Sequence, residues 1–154
     1  MAKFTFRLAT LLKLREEIRD ERRSALAEAF HAEELLVGRI GEIEGENNTL
    51  RERRGTIAAS GNVAVDELLE MQRYEAILTA ELNTLGRQRK LLDVEITRRQ
   101  EAAAEADRDV RVLEKLRERQ HDSYAAKEEA KVRKELDEFA NLRHGRKDRS
   151  SCHG

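Results

Sequence analysis

No proline interrupts these 154 residues, and that absence narrows the folds open to the chain more than any motif in it. Proline is the commonest helix breaker, because its ring blocks the preceding turn and it has no N–H to donate. The chain is rich instead in Ala, Leu, Glu, Arg and Lys, the strongest helix formers. Charged residues make up 40% and aromatics 4%, with a mean hydropathy of −0.76. That is a poor supply for the thick core of a compact domain of this length, whereas long helices sharing one narrow seam need far less.

The seam is visible in the spacing. Apolar residues recur at alternating steps of three and four: Phe4, Leu8, Leu11, Ile18, Ala25, Ala29, Ala32, Leu36, Ile40, Ile43, Leu50 and Ile57, with Arg15, Arg22, Asn47 and Arg54 as polar members in phase. One extra step of four after Leu36 reads as a stutter. A second stripe runs through Leu68, Met71, Leu78, Leu82, Leu85, Leu92, Ile96, Ala103, Ala106, Val110, Leu113 and Tyr124, and less strictly through Val132, Leu136 and Phe139. Glu75, Arg89, Arg99, Arg117 and Gln120 keep its phase. Between the stripes, Ala58, Ala59, Ser60, Gly61, Asn62 and Val63 supply the turn formers.

The spacing predicts an all-α fold: helix 4–57, turn 58–63 and helix 64–142, paired over residues 1–143 as an antiparallel coiled-coil hairpin, with a polar flexible tail at 144–154. A short turn fixes the register, setting Ile43 opposite Leu78, Leu36 opposite Leu85, Ala25 opposite Ile96 and Leu11 opposite Val110. Pairs such as Glu95 with Arg99, Asp107 with Arg111 and Glu129 with Arg133 sit acid-first one turn apart on the outer faces. In this register Phe4 falls opposite Arg117, so the second helix overhangs at its C-terminal end from residue 118 to 142, about 37 Å at 1.5 Å per residue. An isolated helix of that length is marginal in water and awaits a partner.

Chemistry is conspicuous by what the spacing lacks. Gly38, Gly41 and Gly45 do not have phosphate-loop spacing, and no GK[ST] follows them. The four histidines are scattered, and Cys152 with His153 and His144 reads as polar tail rather than as a metal site. A slim pair of helices offers no enclosed pocket. The chain is therefore read as no enzyme, with no cofactor and no catalytic or metal residues. Thirty basic against thirty-one acidic residues leave a net charge of −1, which argues against nucleic acid as a partner. Apolar runs stop at about three residues, so direct membrane insertion is not expected. The stretch at 8–12, four apolar residues with Thr10 among them, is too short for a signal peptide, and the chain reads as cytoplasmic.

The two ends are less generic. The start Phe4, Thr5, Phe6, Arg7, Leu8 with Leu11 to Glu16, and the late run Lys134 to Ala140 with Arg143, resemble the flagellar export protein FliJ family. Tyr124 and Lys127 to Glu129 also look like that family's C-terminal helix. The resemblance implies a non-enzymatic component of the flagellar type III export apparatus. It would be a central-stalk-like rod that promotes assembly or activity of a hexameric export ATPase ring and links it to an export-gate membrane protein and to export chaperones.

Carried onto this chain, ring contacts would fall on Phe4, Leu8, Leu11, Leu113, Tyr124, Leu136, Asp137, Glu138 and Phe139, and gate contacts on Tyr74 and Leu78. The implied location is the cytoplasm, peripheral at the cytoplasmic face of the inner membrane. A stalk protein of a related virulence secretion system, and a purely structural coiled coil that dimerises, fit the same composition.

Overall fold

A computed structural model describes residues 3–62 and 64–151, with side chains through Arg146. It is all-α: helix α1 is Ala9–Ala59 and helix α2 is Val65–Ser151. Their contacts divide the chain into one unit of Ile18–Ala106 and another of Met1–Glu17 with Asp107–Gly154. In each, α1-side residues pack against α2.

The Ile18–Ala106 unit contains the turn. Ser60 donates its backbone N–H to Thr56 at 3.1 Å and its hydroxyl to the Ile57 carbonyl at 2.8 Å, which satisfies carbonyls that α1 leaves free at its end. Gly61 follows with φ of +72°, the left-handed conformation that costs glycine little and ends many helices. Asp66 and Glu67 then occupy the first turn of α2, where the helix dipole favours acids.

The stripe on α2 is where the spacing put it. Met71, Leu78, Ile96, Ala103, Ala106 and Val110 are buried, and Leu68, Leu82, Leu85, Leu92 and Leu113 half-buried. On α1 the outcome is mixed. Ala29 and Ile43 are buried, Ile43 completely, but Ala32 is exposed and Glu33 is half-buried in its place. With Glu33 in the seam the steps through Ala29, Leu36, Ile40, Ile43, Asn47 and Leu50 alternate without a break, so the expected stutter is absent. The reason is that a glutamate buries its aliphatic stem while its carboxylate stays in water, and a search for apolar letters passes over it.

Ion pairs bracket the seam and carry the register. Arg39 binds Glu81 at 2.9 Å, Arg53 binds Glu67 at 3.2 Å, and Arg51 and Arg54 both reach Glu75, at 3.2 and 2.7 Å. In every one of these the arginine is on α1 and the acid on α2, so a slip of one heptad would misalign the set. Arg99 does more than pair with Glu95 at 2.9 Å: its Nη1 also donates to the Ala25 carbonyl at 2.6 Å. Asn47, buried in the seam, leaves its Oδ1 without a partner.

Two boundaries differ from expectation. Residues 3–6 are non-helical, and regular α1 begins at Ala9 rather than residue 4. At the other end α2 runs to Ser151 rather than stopping at 142, so residues 144–151 of the expected flexible tail are helical. Gly145 alone costs about 1 kcal/mol against alanine, and the Arg and Lys beside it are good helix formers. Cys152 and His153 lie outside the described residues.

Because the seam is one residue wide, its buried members are not interchangeable with exposed ones. Ile43→Ala should lower the unfolding free energy by about 2–4 kcal/mol through lost transfer energy and the cavity left, while Leu35→Ala, at 63% exposure, should change it by less than about 0.5 kcal/mol. Urea unfolding followed by circular dichroism at 222 nm measures both.

Candidate functional site

All nine residues expected at the ATPase ring belong to the unit of Met1–Glu17 and Asp107–Gly154, where they form two groups. In the first, Phe4, Leu8, Leu113 and Tyr124 are half-buried. The Phe4 ring meets His121 edge-on, centroids 5.3 Å apart and planes at 87°, and lies 5.7 Å from Tyr124 at 46°, separations at which aromatic pairs attract. This is farther along α2 than Arg117, the position the helical register assigned. A non-helical chain advances up to about 3.3 Å per residue where a helix rises 1.5 Å, so residues 3–6 reach one to two turns beyond.

The offset by one residue that puts Glu33 in the seam holds at the start of α1 as well. Leu12 is buried and Leu11 exposed, the reverse of the expected seam. Leu8 and Leu12, one turn apart on a common face, are the pair turned inward, and Arg15 next along binds Asp109 at 3.2 Å.

The second group is unpaired. Every described side chain from Glu129 to Arg146 is exposed, including Leu136, Asp137, Glu138 and Phe139. The free part of α2 therefore starts near residue 129, about eleven residues later than expected, because Phe4 covers His121 and Tyr124. Val132, Leu136 and Phe139 recur at four and three, and Leu142 follows, so the free segment keeps an apolar stripe. Lys131 binds Glu128 at 2.9 Å, which raises the ammonium pKa. Glu129 with Arg133 is not among the ion pairs of the described residues.

The expected gate pair lies in the Ile18–Ala106 unit and splits. Leu78 is only 3% exposed and belongs to the seam, whereas Tyr74 is 45% exposed, as is its neighbour Ile77 at 62%. The surface there is Tyr74 with Ile77; Leu78 is the packing beneath it. The Tyr74 hydroxyl donates to Glu46 Oε2 at 3.0 Å, and that bond raises the phenol pKa. Beside it Arg39 donates to Glu81 and Glu42, which raises the guanidinium pKa. Glu46, Glu42 and Arg39 went unremarked in the sequence, since only the cross-helix register brings them beside Tyr74.

The neutral phenol is the form that the carboxylate favours. Stability from this bond is thus present below the ordinary phenol value of 10.0 and lost as pH rises through the higher folded value. In a Tyr124→Phe background, the tyrosinate absorbance of Tyr74 should titrate above pH 10, and adding Glu46→Gln should bring its midpoint down. Equal midpoints would remove the bond.

Among the described residues no helix is long and apolar enough to cross a membrane. No curated protein and no solved structure matched the chain. A family model does: that described as "Flagellar FliJ protein" matches residues 4–149, from the phenylalanine that packs on α2 nearly to the end of that helix. With almost its whole length so matched, the chain belongs to the flagellar FliJ family, whose members are associated with flagellar protein export.

Proposed function

We propose that the protein is a non-enzymatic, central-stalk-like component of the flagellar type III export apparatus. Its C-terminal α2 segment engages a hexameric export ATPase ring and promotes the ring's assembly or turnover, hydrolysis residing in the partner. The observation that carries this reading is the run of exposed side chains from Glu129 to Arg146, with Val132, Leu136, Phe139 and Leu142 on a helix that has no companion there. Such a stripe is a helix-in-groove ligand awaiting its groove. Dense charge around it, Lys131, Arg133, Lys134, Glu135, Asp137 and Glu138, lets it present polar faces to several similar subunits in turn. In this reading Tyr74 with Ile77 contacts an export-gate membrane protein, export chaperones are further partners, and the protein works in the cytoplasm, peripheral at the cytoplasmic face of the inner membrane.

The test is stimulation of the cognate flagellar export ATPase by the full chain and by a chain lacking residues 129–154. Cutting at 129 rather than 118 spares the Phe4 packing on His121 and Tyr124, so a lost effect reports the free segment and not a loosened unit. The full chain should stimulate and the shortened one should not; equal stimulation contradicts the role of the segment. In the same preparations, Tyr74→Ala should weaken binding to the gate protein's cytoplasmic domain about tenfold, a loss of roughly 1.4 kcal/mol, with helicity unchanged. Unaltered affinity would withdraw the gate contact.

A further inference from the structure

The non-helical segment at residues 3–5 does more than pack. Phe4 stands as a ridge on α2 with a groove on either side. One side is lined by Glu114, Arg117, Glu118 and His121 and is mixed in charge. The other, a groove of about 450 Å³, gathers Lys3, Arg119 and Lys127 with Thr5, Gln120 and Ser123, over a floor of Phe4 and Tyr124. It has three cations and no acid in its lining. None of the three joins an ion pair among the described residues, and nearby acids are turned elsewhere: Asp122 faces His121 at 3.6 Å and Glu128 holds Lys131 at 2.9 Å. Three cations around one hollow, with no acid in its lining, are an unfilled half of a charge pattern.

We propose that this groove binds an acidic peptide segment in extended conformation. The spacing argues for a peptide over a small anion. Arg119 and Lys127 are eight residues apart on α2, about 12 Å at the helical rise. In an extended chain, side chains four residues apart lie on one face about 13 Å from each other. Acids at the first and fifth positions of such a peptide meet Arg119 and Lys127, and one at the third, on the same face, meets Lys3. The hydroxyls of Thr5 and Ser123 and the Gln120 amide supply donors between them, and the apolar floor takes the backbone edge of the ligand. The groove lies open along its length, which admits a chain and does not enclose a single phosphate.

The inference goes beyond the stalk reading and is tested without any ATPase, so either can fail alone. Fluorescence anisotropy of a labelled Glu-Gly-Glu-Gly-Glu peptide is measured against the full-length protein at low and moderate salt. Binding should weaken as salt rises. The triple reversal Lys3→Glu, Arg119→Glu, Lys127→Glu should weaken it at least about tenfold, while a control reversal Arg87→Glu with Lys90→Glu on the Ile18–Ala106 unit leaves it unchanged, both variants being as helical as the parent. The proposal is overturned if the Gln-Gly-Gln-Gly-Gln peptide binds equally, if the control reversal weakens binding as much, or if the parent does not bind. Displacement of the peptide by an equal concentration of inorganic phosphate overturns it in favour of a small-anion site.

Discussion

Everything in this protein depends on a seam one residue wide. Two helices that bury only alternate third and fourth positions have no second layer to compensate for a misplaced side chain, so register must be held from outside the apolar stripe. The cross-helix arginines hold it. Individually such half-exposed pairs contribute little, but all those beside the turn run from α1 to α2, and a slipped register loses them together. Arg99, reaching past Glu95 to the Ala25 carbonyl, makes the same point with a backbone acceptor. Asn47, buried with an orphan oxygen, costs stability in the seam, as polar seam residues commonly do where they specify alignment.

A second consequence of the thin seam is that a helix without a companion has no core of its own. In the unit containing both chain ends, the last accompanied stretch of α2, at His121 and Tyr124, has its companion in a non-helical segment and not in α1 proper. Phe4 covers more of α2 than a helical residue at that position could, because a non-helical chain travels farther per residue. What remains free is shorter than a helical register implies, and every described side chain on it is exposed. The division between covered and free α2 is therefore set by the conformation of residues 3–6, a handful of positions at the opposite end of the sequence.

Much of this was legible beforehand, for a physical reason. A long coiled coil writes its fold in a period of three and four, and the stripe on α2 from Leu68 to Val110 could be read directly, polar members Glu75 and Arg99 included. The failures share a cause as well. Glu33 and not Ala32 lies in the seam because seam membership is a matter of position and not of letter. Leu12 stands in place of Leu11 because a seam without the stutter keeps one phase from Leu50 back through Glu33 and Ala29 to Leu12, one position away from Leu11. Leu78 is a member of the stripe and is buried as such, while Ile77, its exposed neighbour, has no periodic signal to mark it. The grouping of Lys3 with Arg119 and Lys127 has no sequence signature, because it is made by a fold-back across more than a hundred residues.

Near residue 129 α2 changes character, from a helix with a companion to one without. Native-state hydrogen exchange read by mass spectrometry, at protein concentrations low enough to exclude self-association, tests it directly. Amides in peptides covering 129–146 should exchange at least about tenfold faster than those covering 107–127, because the former open without breaking tertiary contacts. Equal protection across both stretches would mean that α2 keeps a companion beyond residue 129.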